Sequence, residues 1–240
     1  MPINKICVVI PTYNESGSIG KVVGEIRQSC PGADIVVVDD GSSDGTKQIA
    51  EATGCTVISL CANLGIGGAV QAGLMYAVSK GYELVVRMDG DGQHDPGYIS
   101  GLCRIIEDGG ADIAIGSRYV NHSGYQSTRI RRAGIRFISF IISSLCGADI
   151  KDVTSGYWAM NGRVAKHLSE NYEQDYPEPE AILSSMSAGY RIVEVPVEMR
   201  DRTSGKSTID VKRSLYYMIK VTFSLLFAKL NLKGEKHAVC

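Results

Sequence analysis

The chain has 240 residues, 44% of them hydrophobic and 21% charged, with a formal net charge of −1. That length supports one substantial core, the composition excludes extensive disorder, and the charge balance excludes a general nucleic-acid binder. The cysteines at 7, 30, 55, 61, 103, 146 and 240 form no C-x-x-C pair, so a reduced, cytoplasmic compartment is expected and a disulfide framework is not.

No basic-plus-apolar leader precedes the first apolar run, so no signal peptide is expected. Residues 5–10 are apolar and rich in β-branched side chains, which predicts a strand. Residues 16–28 place Ile19, Val22, Val23 and Ile26 on one helical face. A strand over 34–38, a helix over 46–52 and a short strand over 56–60 follow. Residues 68–79 predict a helix whose small residues (Ala69, Ala72, Gly73, Ala77) suit close packing. A strand over 83–88, a helix over 96–107 opened by Pro96, and a strand over 112–116 complete the first half. Continuous apolar strands alternating with helices predict an α/β fold with a mostly parallel sheet covered on both faces. The second half is less regular. It predicts a helix over 129–146, basic at first (Arg129, Arg131, Arg132, Arg136), a polar turn over 152–157, a strand over 191–197 and a last helix over 214–230. Without repeats or low-complexity linkers, residues 1–240 read as one domain.

Ligands of such sheets bind beyond the carboxyl ends of the strands. Three polar turns fall there: 11–15, 39–42 and Asp89-Gly90-Asp91. Two carboxylates one residue apart can face one divalent cation, and oxygen ligands suit Mg2+ or Mn2+. With the acidic turn at Asp39-Asp40, they read as a nucleotide-diphosphate and metal site. The glycines at 65, 67 and 68 do not make a dinucleotide fingerprint, because Val70 stands where the third glycine would be.

Seven motifs occur in order: V-V-I-P-T-Y-N-E at 8–15, V-V-D-D-G-S-S-D-G-T at 37–46, N-L-G-I-G-G-A at 63–69, M-D-G-D-G-Q-H-D-P at 88–96, G-S-R-Y at 116–119, D-V-T-S-G-Y at 152–157 and E-V-P-V-E-M-R-D-R-T-S-G-K-S at 194–207. Together they resemble glycosyltransferase family 2, in particular its dolichyl- or polyprenyl-phosphate sugar synthase branch. The resemblance implies the nucleotide-diphosphosugar transferase (GT-A type) fold. It also implies a nucleotide-sugar site made by Pro11, Tyr13, Glu15, Asp39, Asp40, Asp89, Gly90, Arg118, Arg202 and Lys206. Metal ligation falls to Asp89, Asp91 and Gln93, and catalytic roles to Asp91, Arg202 and Asp152, the last as a candidate base beside the acceptor. Capping a turn is the alternative for Asp152, and a structural ion pair is the alternative for Arg118. Thr208 stands where the family's R-x-x-G-x-S-K carries lysine, with Lys206 two residues earlier. Glu180 matches an acidic position of the family without an assigned role.

A lipid phosphate monoester is already mostly a dianion at pH 7, with a second pKa near roughly 6, so it needs cations more than a base. Arg131, Arg132, Arg202 and Lys206 supply them in the acceptor half. Residues 200–240 hold nine Lys or Arg against three acids, which suits an anionic surface. Uncharged residues 221–228 would rise only about 12 Å as a helix, against a bilayer core of about 30 Å. The last helix therefore lies in the lipid interface, docks on a partner or packs on the sheet. The expected protein is an inverting, metal-dependent transferase moving sugar from a UDP- or GDP-sugar to polyprenyl phosphate. Peripheral binding at the cytosolic membrane face, or a small membrane-anchoring protein, would bring it to its acceptor, and a homo-oligomer is compatible. Transfer to a polysaccharide hydroxyl and a catalytically silent sugar-nucleotide-binding subunit are the rival readings.

Overall fold

The computed structural model describes residues 5–120, 129–172, 177–200 and 220–223. Strands β1 (Ile6–Thr12), β2 (Asp34–Asp39), β3 (Thr56–Ser59), β4 (Leu84–Arg87), β5 (Ile113–Ser117), β6 (Trp158–Asn161) and β7 (Ile192–Pro196) form one sheet in the order β3-β2-β1-β4-β6-β5-β7. All neighbouring pairs are parallel except those of β6, which runs antiparallel to both β4 and β5. The expected mostly parallel sheet flanked by helices is therefore present, and the antiparallel β6 makes it mixed.

Helices α1 (Ile19–Ser29), α2 (Thr46–Ala52) and α4 (Ile99–Glu107) belong to one side of the sheet. Helices α3 (Gly65–Ser79), α5 (Arg129–Cys146), α6 (Gly162–Glu170) and α7 (Pro177–Ser187) belong to the other. Side chains alternate between the two cores along each strand. In β1, Val8 and Ile10 face α1 while Cys7 and Val9 face α3. Each fully buried Val or Ile contributes about 1.5–3 kcal/mol, so the central strands anchor both layers. Helix α3 approaches β1 closely because residue 73 is glycine; a Cβ there would run into Val9 Cγ1.

Three elements differ from the sequence expectation. β6, α6 and α7 fill a stretch in which the sequence shows no long periodic run. Helix α7 begins at Pro177, with Pro179 also in its first turn, where a missing N–H costs nothing. Residues 220–223 are helical, with Val221 buried and Phe223 exposed. The remainder of the expected last helix lies outside the described residues. Among the described residues no helix is long and apolar enough to cross a membrane.

Candidate active site

The carboxyl ends of β1, β2, β4 and β5 carry the expected turns to one edge of the sheet. The 11–15 and 39–46 turns are sewn together. Asn14, at φ 55°, accepts from the Ser43 N–H at 2.9 Å, and its own N–H donates to Ser42 Oγ at 2.9 Å. The Glu15 and Ser16 N–H groups donate to Thr46 Oγ1 and Asp44 Oδ2. Burial works against the charge of Asp44, but hydrogen bonds from Thr46 and Ser16 outweigh it and hold its pKa at about 2. The paired turns form a preorganised rim.

Below this rim lies a cavity of about 270 Å3 lined by Pro11, Tyr13, Glu15, Ile66, Arg87, Asp89, Gly90, Asp91 and Glu178. Six of the expected nucleotide-sugar or metal residues thus share one space. Asp39 is buried, and among the described residues its carboxylate accepts only long hydrogen bonds, from Ser42 N–H at 3.3 Å and Ser59 Oγ at 3.4 Å. Asp40, also expected at the nucleotide-sugar site, is buried, and its two oxygens accept from the Leu64 and Gly65 N–H groups at 2.7 and 2.9 Å, which anchors the entry to α3.

The D-x-D turn is held from three sides. The buried His94 ring stacks on Tyr157 at 4.9 Å, and its Nδ1 accepts the Asp89 N–H at 3.1 Å. Burial pushes the His94 pKa down; the neutral ring then carries its proton on Nε2, 3.9 Å from Asp89 Oδ2. Asp91 Oδ1 accepts the Gln93 N–H at 3.0 Å. The Gln93 side-chain amide reaches the Arg200 carbonyl at 3.4 Å, and the Arg200 N–H returns a bond to the Gln93 carbonyl at 2.9 Å. The chain leading toward Arg202 and Lys206 is therefore pinned to the D-x-D turn, although those two residues lie outside the described ones.

Antiparallel β6 explains the position of the 152–157 turn. Trp158 pairs with both Arg87 and Ile115, so the residues before it pass between Asp89 and Arg118. Gly156 lies against the D-x-D turn: a Cβ there would sit 2.8 and 2.9 Å from the Asp89 carboxylate oxygens. Asp152 is fully buried and binds Arg118 three times, accepting from its Nε at 2.8 Å, its Nη2 at 2.7 Å and its backbone N–H at 3.0 Å. A carboxylate enclosed in such a pair cannot reach an acceptor proton without breaking it, and the Arg118 guanidinium has Asp152 as its counter-ion, the structural ion pair that the sequence reading also allowed.

The donor set suits a divalent cation. Asp89 Oδ1 is buried and accepts no hydrogen bond among the described residues, and Asp91 lies beside it. Among the described residues no group of three or more His, Cys, Asp or Glu forms a closed cage. Two carboxylates are what Mg2+ or Mn2+ takes when water and a diphosphate complete the shell.

Sequence reasoning missed Arg87 and Glu178. Arg87 is buried at the carboxyl end of β4, donating to the Tyr172 hydroxyl at 2.8 Å and to Glu178 Oε1 at 2.5 Å. An arginine in an otherwise apolar run was the signal, since a charge on a strand buried on both faces requires partners.

A second cavity, of about 330 Å3, adjoins the Arg118–Asp152 pair. It is lined by Tyr119, Arg132, Ile135, Arg136, Ser139, Asp149 and Lys151. Among the described residues three cations and one carboxylate line it.

The sequence model of the family described as Glycosyl transferase family 2 matches residues 7–169. The chain is 34% identical over 230 residues to polyprenol monophosphomannose synthase of Mycolicibacterium smegmatis, covering 92% of this chain and 86% of that protein. It is 31% identical to undecaprenyl-phosphate mannosyltransferase of Micrococcus luteus, over 85% of this chain and 86% of the relative. Among solved structures, glucosyl-3-phosphoglycerate synthase from Mycobacterium tuberculosis, crystallised with Mn2+, UDP and glucosyl-3-phosphoglycerate, superposes with a TM-score of 0.72 at 20% identity. That match covers 96% of this chain and 80% of the other, and it identifies the fold as GT-A type. A D-x-D turn at the edge of that fold, together with a family match over most of the chain, makes this protein a glycosyltransferase that belongs to family 2.

Proposed function

We propose that the enzyme transfers a hexose from a UDP- or GDP-sugar to the phosphate of a polyprenyl phosphate, in one displacement that inverts the anomeric carbon. The observation that carries this reading is the pair of cavities on either side of the 152–157 turn. One has acidic and aromatic walls suited to a cation and a nucleoside, and the other has basic walls suited to a phosphate.

In the first cavity Tyr13, Pro11 and Ile66 offer apolar surface to a nucleoside, with Glu15 as a hydrogen-bond acceptor. Asp89 and Asp91 would hold Mg2+ or Mn2+, with Gln93 as a third candidate ligand. When bound, the cation offsets the negative charge that develops on the departing nucleoside diphosphate. Arg202 and Lys206, on the chain that leaves Arg200, are retained as proposed diphosphate contacts.

In the second cavity Arg132, Arg136 and Lys151 would position the acceptor phosphate. A phosphate monoester with a second pKa near roughly 6 reaches the site already charged, so no base is required. The enclosure of Asp152 supports this acceptor over a sugar hydroxyl, which needs a general base. The names of the two bacterial relatives support it as well and make mannose the first sugar to test. The exposed Phe137 and Phe140 on α5, beside Arg136, favour work at the cytosolic membrane face as a peripheral protein, alone or with a small membrane anchor.

The test is release of nucleoside diphosphate from UDP- and GDP-linked mannose and glucose with Mn2+, with and without polyprenyl phosphate. Release should depend on the lipid phosphate and stop in EDTA. Asp91→Asn should lower it at least about 100-fold, the scale of one lost electrostatic stabiliser. Release driven by a soluble saccharide instead would overturn the acceptor, and no release under any condition would favour a silent subunit.

A further inference from the structure

We propose that Glu178 is a positioning residue for the cation site, acting through the buried guanidinium of Arg87. The inference rests on the reading of Asp89 and Asp91 as cation ligands. Arg87 lies on the sheet face that also buries Tyr172, and three groups surround its fork. Nη1 donates to the Tyr172 hydroxyl at 2.8 Å, and Nη2 meets Glu178 Oε1 at 2.5 Å. The same Nη2 stands 3.8 Å from Asp89 Oδ1, the carboxylate oxygen that accepts no hydrogen bond among the described residues.

One positive charge is thus divided between two carboxylates of the same cavity, and only one of them belongs to the D-x-D turn. An arginine side chain keeps its charge in a protein, so the guanidinium is a fixed cation. A fixed cation this close to a ligand oxygen opposes a second cation there. Glu178 offsets that opposition by drawing Nη2 to itself. Without its charge, Asp89 becomes the nearest carboxylate to a buried arginine and is taken up as its counter-ion.

The measurement is Mn2+ binding to the full chain, read from the EPR signal of free Mn2+, with folding checked by circular dichroism. E178Q keeps the shape and removes the charge. It should bind Mn2+ roughly 10-fold more weakly, a modest share of what a unit charge at such a distance exerts inside a protein. The double variant E178Q/R87M removes the stranded cation and should return to within about three-fold of wild type on the same reasoning. Wild-type affinity in E178Q, or a double variant as weak as E178Q, overturns the proposal. If the double variant does not fold, E178D decides: near-wild-type binding supports a charge effect, and a loss equal to that of E178Q overturns it. Wild-type protein that binds no Mn2+ would remove the cation reading and this proposal together, whereas wild-type binding with E178Q unmoved removes the proposal alone.

Discussion

At the scale of single residues, the site is governed by which charges are already spoken for. Asp152 and Arg118 are committed to each other in a buried, three-bonded pair. Removing one partner of such a pair strands the other and costs about 3–5 kcal/mol. Asp152→Asn should therefore lower urea-unfolding stability by about that amount and shift the Tyr119 and Lys151 walls of the basic cavity. A general base would behave differently: full stability, with transfer lost only where proton removal limits the rate. The rim carries its own pH signature. The folded-state pKa of Asp44 is depressed to about 2, against an unfolded value near roughly 3.9. Its contribution is thus present above pH 4 and lost as the pH falls toward 2. A melting-temperature profile of Asp44→Asn should run below wild type at neutral pH and converge with it near pH 2. Parallel profiles throughout would remove Asp44 from the account.

At the scale of elements, legibility in the sequence followed the origin of each signal. Helix α2 and helix α5 were readable to their ends, and strands β1, β2, β4 and β5 to within two residues, because local apolar runs and periodicity define them. Strand β6 was not readable. Trp158-Ala-Met-Asn161 is four residues long and acquires its strand character from β4 and β5, which lie far away in the chain. The same holds for the site. The Asp89–Asp91 turn was visible as a motif, whereas the Arg118–Asp152 and Arg87–Glu178 pairs join residues 34 and 91 apart and exist only in the folded sheet. A small residue was readable as small but not as to what it touched: Gly73 proves to be the point at which α3 meets β1. Gly73→Ala improves helix propensity, yet its Cβ meets Val9, on the β1 strand that ends at Thr12. Overpacking of this kind costs about 1–3 kcal/mol. Chemical denaturation should show a net loss; a gain in stability would mean that the helix slides freely on the sheet.

For the molecule as a whole, the question is how a protein with no spanning helix among its described residues meets a lipid acceptor. The basic cavity lies under α5, whose buried residues Ile135, Ile138 and Ile142 face the core, while Phe137 and Phe140 are 49% and 69% exposed. Exposed aromatics beside arginines suit a lipid interface, where rings enter the headgroup boundary and each basic residue adds on the order of 1 kcal/mol, weakened by salt. The sequence also has an excess of lysine and arginine over residues 200–240. The protein is expected to cosediment with vesicles containing anionic lipid at low salt and to be released as salt rises. Because Phe137 and Phe140 are exposed, changing both to Ser should leave the fold intact, which a melting curve checks. The double variant should lose vesicle binding and transfer to long-chain polyprenyl phosphate together. Transfer to a short, soluble isoprenyl phosphate should persist, since the cations proposed to position the phosphate are untouched. Equal loss with both acceptors would place these rings in the phosphate site itself. Unchanged vesicle binding would assign membrane contact to a different surface or to a separate anchoring protein.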